Sequence, residues 1–257
     1  MMAPSSEARR LHSGLVAAFT AFVPAMDGSS VEDKGGYLAL TFPAVPLPQA
    51  NGVWAEDDGG ATVADLADRV AVLEGRGLPF WLQTRRGRHP LVEAEAERIG
   101  LRMVEQVPGM VVTPAELSDL PETGIQIDAV SDEQRLARAH SVAEAGFEIP
   151  EGMFAPFYMP ALLTIAEICF YLGSVGGEAV STAIGYRAPN SLGIFNVATP
   201  PGYRRRGFGA ALTARAAQDG IDRGATLAWL QASTSGEPVY RRMGFRTVET
   251  YNLFTRP

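Results

Sequence analysis

Two stretches of this chain repeat one another, and the repetition sets how many folding units to expect. Arg76-Gly77 leads into Trp81-Leu82-Gln83 and then Gly100-Leu101-Arg102-Met103-Val104-Glu105. Arg223-Gly224 leads into Trp229-Leu230-Gln231 and then Gly244-Phe245-Arg246-Thr247-Val248-Glu249. The same three elements in the same order predict two similar units. Between them, Thr113 to Gly124 is polar, carries Pro114 and Pro121, and reads as a linker. A length of 257 residues suits two small domains, each able to bury a core. The expected domains are 1–115 and 125–257.

Strand-like runs mixed with fewer helices predict an α/β or α+β layer structure. In the second half, Ile125 to Val130 reads as a strand. Asp132 to Ala145 reads as a helix, with Ser131 placed to cap it. Ile168 to Val175 and Val180 to Ala188 read as strands joined by a hairpin turn at Gly176-Gly177. A further strand ends at Val197. A helix covers Gly207 to Arg223, a strand Thr226 to Ala232, and a short helix Glu237 to Met243. One or two strands close the chain between Phe245 and Thr255.

The most informative local sequence is Val197-Ala-Thr-Pro-Pro-Gly-Tyr-Arg204-Arg205-Arg206-Gly207-Phe208-Gly209-Ala210. It places a basic, glycine-rich turn between a strand and a helix. The first N–H groups of a helix lack intrahelical acceptors, and the helix dipole favours negative charge there. Glycines at 207 and 209 let phosphate oxygens approach the main chain, and three arginines add positive field. In the first half, the matching turn reads Trp54-Ala-Glu56-Asp57-Asp58-Gly59-Gly60-Ala61. Three carboxylates there repel a diphosphate, which predicts one coenzyme site per chain, in the second unit.

The spacing Arg204-x-x-Gly207-x-Gly209 resembles the acetyl-CoA signature of the GCN5-related N-acetyltransferases, the GNAT superfamily. About thirty residues on, Glu237-Pro-Val-Tyr240-Arg-Arg-Met-Gly244-Phe245 resembles the family's short helix ending in Tyr-x-x-x-Gly-Phe. The matching stretch runs from about Ile125 to the C-terminus. The resemblance implies two tandem GNAT-like units, each a mixed, mainly antiparallel sheet flanked by helices, the first lacking a phosphate loop. It also implies that two central strands splay apart to admit the pantetheine arm of acetyl-CoA, the cosubstrate.

What the resemblance implies for residues follows from the motif matches. Val197 and Thr199 lie on the strand that hydrogen-bonds pantetheine through its main chain, here with one extra residue before the arginines. Arg204 orients the turn and adds charge, while the amides of Arg205, Arg206, Gly207, Phe208, Gly209 and Ala210 bind the pyrophosphate. Ser233 stands where many relatives have asparagine. Tyr240 is the candidate general acid, since a phenol with an ordinary pKa near ~10 is protonated at neutral pH. The general base is unassigned among Glu148, Glu151, Glu178 and His140, or an ordered water chain. The aromatic and methionine-rich stretch Phe147 to Met159 falls where the family shapes its acceptor pocket.

The implied activity is N-acetylation of a small-molecule amine, with a homodimer left open. One alternative is a non-catalytic acyl-CoA-binding regulator. A nucleotide-binding module is another, weakened because the turn lacks the Gly-Lys-Ser/Thr ending of a P-loop. Net charge of −7 argues against nucleic acid or an anionic membrane as the main partner. A single cysteine, Cys169, makes a reducing, cytoplasmic setting the expectation. His12, His89 and His140 show no metal-ligand spacing, so no metal is expected. Arg9-Arg10 before an apolar run imitates a secretory signal. Leu11, Leu15, Phe19 and Phe22 nevertheless recur at helical spacing, which predicts an amphipathic first helix ending near Pro24.

Overall fold

A computed structural model describes residues 5–118 and 122–257. Residues 119–121 of the expected linker and residues 1–4 of the first expected domain lie outside the described residues.

In chain order, helix α1 (Ser6–Phe22) precedes strands β1 (Ser30–Asp33), β2 (Tyr37–Thr41) and β3 (Gly52–Ala55). Helix α2 (Gly60–Gly75), strand β4 (Trp81–Arg85), helix α3 (Pro90–Arg98) and strand β5 (Arg102–Val112) follow. The second half contains β6 (Gln126–Ala129), α4 (Glu133–Phe147), β7 (Ile168–Val175), β8 (Glu178–Ala188) and β9 (Ser191–Ala198). It ends with α5 (Phe208–Ile221), β10 (Ala228–Gln231), α6 (Glu237–Arg242) and β11 (Arg246–Thr255).

Packing divides the chain otherwise than the expected boundaries of 1–115 and 125–257. One unit holds residues 22–109 and 249–257, the other 5–21 and 110–248. Leu11 and Leu15 of the apolar stripe on α1 are buried as expected, both at 0% exposure, but they belong with residues 5–21 to the second unit, while Phe22 falls in the first. The reason is local shape: Gly14 offers the bare backbone on which the Trp229 indole sits. Strands β5 and β11 each cross from one unit to the other along the chain.

In the first unit, β1, β2 and β3 pair antiparallel in sequence, β3 pairs parallel with β4, and β4 pairs antiparallel with β11. Val53, Leu66, Val70, Leu82, Val92 and Phe254 pack together between this sheet and its helices. In the second unit, β6, β7, β8 and β9 pair antiparallel in sequence, and β9 pairs parallel with β10. Its core includes Leu192, Ile194, Leu212, Ala216, Leu230 and Phe245. The repeated Trp-Leu-Gln falls on β4 and on β10, in each unit the strand that runs parallel to its predecessor.

Local chemistry explains most element ends. Gly176 and Gly177 both take positive φ, 58° and 85°, as the two-residue β7–β8 hairpin requires. Asp132, rather than Ser131, caps α4: its carboxylate accepts from Arg135 N at 2.8 Å. That carboxylate has the reach and the charge to satisfy the third N–H of the helix. Phe245 to Thr255 yields one strand, β11. No described helix is long and apolar enough to cross a membrane.

Candidate functional site

Strand β9 leaves its neighbour early. Its parallel register with β10 has two pairs, Leu192 with Ala228 and Gly193 with Trp229, yet β9 runs on to Ala198. Against β8 the register shifts by one residue between Thr182–Ala198 and Ile184–Phe195. Asn196 takes up the extra residue with φ 48°. Such a bulge bends the strand and increases its twist. The β9 segment from Phe195 onward therefore parts from β10, which forms the expected splay.

Beyond β9, Pro201–Tyr203 makes one 3-10 turn. Arg205 then takes φ 63° and Gly207 φ 79°, and Gly207 becomes the N-cap of α5 with no side chain capping it. The first bond closing the helix is Ala211 N to Gly207 O, at 2.9 Å. Hence the N–H groups of Phe208, Gly209 and Ala210 point out of the helix end without intrahelical acceptors. Glycine at 207 is favoured by its positive φ and by a Cβ position 3.0 Å from Thr123 Cγ2. At 209 it is not: a Cβ there would stand 3.6 Å from Thr199 Oγ1 and Val197 Cγ1, an ordinary contact.

The three arginines differ in what they do. Arg204 Nε donates to Thr199 O at 3.0 Å, and its Nη2 donates to Gly146 O at 2.7 Å and pairs with Glu148 at 2.7 Å. It ties the turn to the end of α4, so its charge is already matched. Gly146 permits that closeness, since a Cβ there would lie 2.8 Å from the Ala198 Cβ. Arg206 lies over the Phe208 ring at 4.8 Å and near the Tyr203 ring at 5.9 Å. Arg205 is exposed on the turn. The positive field at the helix end thus comes from Arg205 and Arg206 with the helix dipole.

Tyr240 projects from α6 and packs against Phe245, ring centroids 5.8 Å apart. Burial pushes its phenol up to about 12, with Thr213 as its hydrogen-bonding neighbour. Thr213 in turn donates to Gly209 O at 2.9 Å, which places the phenol beside the first turn of α5. Ser233 is exposed, and its hydroxyl accepts from Gly236 N at 3.1 Å. That bond uses Ser233 to shape the entry to α6. Val197 is half-buried against the core of the unit, and Thr199 Oγ1 bonds Ser181 Oγ at 2.9 Å.

The four candidate bases fall in three places. Glu148 pairs with Arg204, and Glu178 accepts from the Tyr203 phenol. His140 and Glu151 line a pocket of about 310 Å³ with Ser141, Glu144, Ala145 and Ile149. Glu144 escaped the sequence reading. It is buried, bonds His140 Nε2 at 2.8 Å and accepts from Phe154 N at 3.0 Å. Its one sequence signal was the i, i+4 spacing from His140 on a helix. Within the expected acceptor stretch, Tyr158 is buried with its ring stacked on His140 at 5.4 Å, and its hydroxyl faces Thr182 and Asn196. Phe147 is exposed. Among the described residues, no group of three or more His, Cys, Asp or Glu side chains suits a metal ion.

The matching positions of the first unit carry carboxylates, although the α2 N-cap Gly59 has no side-chain cap either. Asp57 Oδ1 accepts from Gly59 N at 2.7 Å and Thr62 Oγ1 at 3.0 Å, at the start of α2. Asp58 Oδ1 accepts from Leu91 N at 2.9 Å and Val92 N at 3.1 Å, at the start of α3. Strand β3 ends at Ala55, one residue beyond its last pairing with β4.

Residues 173–248 match the family model described as an acetyltransferase (GNAT) domain. Comparison of the sequence with curated proteins finds no match. Among solved structures, a GCN5-related N-acetyltransferase from Kribbella flavida aligns over 99% of this chain and 97% of its own, with TM-score 0.75 and 22% identity. One from Sphaerobacter thermophilus aligns over 95% and 90%, with TM-score 0.61 and 16% identity. A putative GNAT-family acetyltransferase from Novosphingobium aromaticivorans aligns over 88% and 91%, with TM-score 0.56 and 20% identity. Residues 173–248, which hold the splay, the basic turn and Tyr240, are thus matched as a GNAT acetyltransferase domain, and the chain has the mixed α/β fold of GCN5-related N-acetyltransferases.

Proposed function

We propose that the protein is an acetyl-CoA-dependent N-acetyltransferase with one coenzyme site, in the second unit, and that the first unit is a second GNAT-like fold without a phosphate loop. The carrying observation is an α5 N-terminus with no side-chain cap, reached from the strand that parts from its parallel neighbour through a turn carrying Arg204, Arg205 and Arg206 where the matching turn of the first unit carries carboxylates. The amides from Arg205 to Ala210 grip the pyrophosphate, Arg205 and Arg206 neutralise it, and Arg204 holds the turn in shape. The pantetheine arm lies along the main chain of β9 near Val197 and Thr199.

Chemistry then proceeds by direct attack. A neutral amine nitrogen forms a bond to the thioester carbon, and the C–S bond of the tetrahedral intermediate breaks as the sulfur takes up a proton and leaves as thiol. Tyr240, neutral because burial holds its phenol up to about 12, gives the sulfur its proton. The amine's surplus proton passes to solvent, and solvent returns a proton to the Tyr240 phenolate. Positioning two bound reactants supplies much of the rate. The acceptor is a small molecule with an amine. Calorimetric titration with acetyl-CoA tests the site, with one site per chain expected. Thiol release across a panel of amines, amino acids and aminoglycosides tests the transfer. Tight coenzyme binding with no release across the panel would favour the non-catalytic regulator instead.

A further inference from the structure

Helix α1 lies along the seam between β9 and β10. Arg10 Nη2 donates to Asn190 O at 2.5 Å and to Thr226 Oγ1 at 2.8 Å. Asn190 and Thr226 stand at the paired end of the two strands, where Thr226 N donates to Asn190 O at 3.0 Å and Leu192 N to Leu227 O at 2.9 Å. One helical turn further along α1, Gly14 meets the Trp229 indole, and a Cβ there would lie 2.5 Å from Cζ2. A Cβ on Gly193 would likewise lie 2.5 Å from Cη2 and Cζ2 of the same indole. The ring has 0% exposure, its Nε1 donates to Ser191 Oγ at 3.2 Å, and Phe195 meets it edge-on at 5.4 Å.

Trp229 and Gly193 are also the last pair before the strands part. The largest buried side chain of the unit therefore sits at the vertex of the splay, against two glycines that give it no slack. A close-packed site of this kind transmits displacement instead of absorbing it. We propose that Trp229, seated by Gly14, sets the opening between β9 and β10 and thereby positions the β9 backbone for acetyl-CoA. Trp229 is a positioning residue that acts through Gly193 and Phe195, and α1 supports the coenzyme cleft. This inference rests on the acetyl-CoA reading of that cleft.

The test uses the full chain as wild type, Gly14→Ala, Trp229→Phe and the double variant. Acetyl-CoA affinity is measured by calorimetry at a temperature where circular dichroism shows every variant folded. Gly14→Ala is expected to weaken binding about tenfold, because its methyl drives the indole toward β9. Trp229→Phe vacates that space, so adding Gly14→Ala to it is expected to cost less than about twofold further, a non-additive coupling. A Gly14→Ala protein that melts earlier yet binds within twofold of wild type overturns the proposal. So does an equal loss in both backgrounds. Should Gly14→Ala fail to fold, a Trp54→Phe/Trp81→Phe protein leaves Trp229 as its one tryptophan. Its emission is expected to change saturably with acetyl-CoA, and an unresponsive emission during calorimetric binding overturns the proposal. Wild type that does not bind acetyl-CoA removes the acetyl-CoA reading as well, whereas normal wild-type binding with an unaffected Gly14→Ala removes this inference alone.

Discussion

Helices α2 and α5 each follow the strand that starts a parallel pair, and both start at a glycine N-cap with no side-chain cap, but the charges beside the two starts have opposite sign. At α2, the Asp57 carboxylate takes the Gly59 amide and the Thr62 hydroxyl, and the neighbouring Asp58 takes two amides of α3. At α5, no carboxylate among the described residues bonds the helix start, the amides of residues 208–210 have no intrahelical acceptor, and Arg205 and Arg206 stand beside them. A helix start that carries its own anion has no use for another. One without an anion keeps the dipole and three donors for a ligand. Glycines are present at both starts, so glycine content does not separate them. The carboxylates do.

The sharpest way to break this contrast is to give α5 what α2 already has. A Cβ at residue 209 meets only ordinary contacts, so Gly209→Asp fits the fold and places a carboxylate at the helix start. Acetyl-CoA affinity is expected to fall about 100-fold or more, equivalent to about 2.7 kcal/mol. The melting temperature should hold or rise. Unchanged calorimetric affinity would show that the open amides are not the coenzyme site.

Tyr240→Phe probes the chemistry next to that helix start. The ring packing on Phe245 is retained and the proton is lost. A drop in kcat of roughly 10–100-fold with an unchanged KM for acetyl-CoA is expected, as for a group acting in the transition state. Because burial holds the phenol up to about 12, kcat should show no alkaline decline from Tyr240 below about pH 10. Full turnover of the variant would reduce Tyr240 to a packing residue.

The contrast between the two helix starts was legible in the sequence, because runs of Glu-Asp-Asp and Arg-Arg-Arg sit at matching places beside glycines. The splay followed from the family resemblance and is seen in the short β9–β10 register. What could not be read were partners distant along the chain. Three consecutive arginines look alike in a sequence, yet among the described residues Arg204 alone of them finds carbonyls, those of Thr199 and Gly146, the latter 58 residues away. The apolar stripe of α1 announced burial but not the surface that buries it. The fit of Gly14 against Trp229 is part of that surface, and a missing side chain leaves no hydrophobic signal. Ser233 and Glu144 were obscure for a related reason: a hydroxyl or carboxylate becomes structural or free only once its backbone partner is known.

In the first unit, Asp58→Ala removes the acceptor for two amides of α3. A stability loss of about 1 kcal/mol is expected, typical for a lost helix cap. Acetyl-CoA should still bind at one site per chain with unchanged affinity. Loss of coenzyme affinity would mean that the first unit contributes to the site, and a second site would mean that Asp58 had been masking one.

The smallest expected effect separates the units by their response to acid. His89 is buried in the first unit, with Nδ1 accepting from Arg85 N at 3.0 Å. Burial, helped by the Arg85 charge, lowers its pKa below the ordinary 6.5, so folding favours the neutral ring. Its contribution is fully present above pH 6.5 and is lost as the pH falls from there toward the folded-state value. In the second unit, hydrogen bonds from Arg246 and Thr113 hold Glu116 down to about 2. Its contribution is present above pH 4.5 and is lost only as the pH falls from there to about 2. Between pH 7.5 and 5, the melting temperature is therefore expected to drop by a few degrees through His89, and His89→Asn should flatten that slope. Glu116→Gln should leave the slope intact over the same range. If the Glu116 variant flattens it and the His89 variant does not, acid acts first on the unit that holds the open helix start.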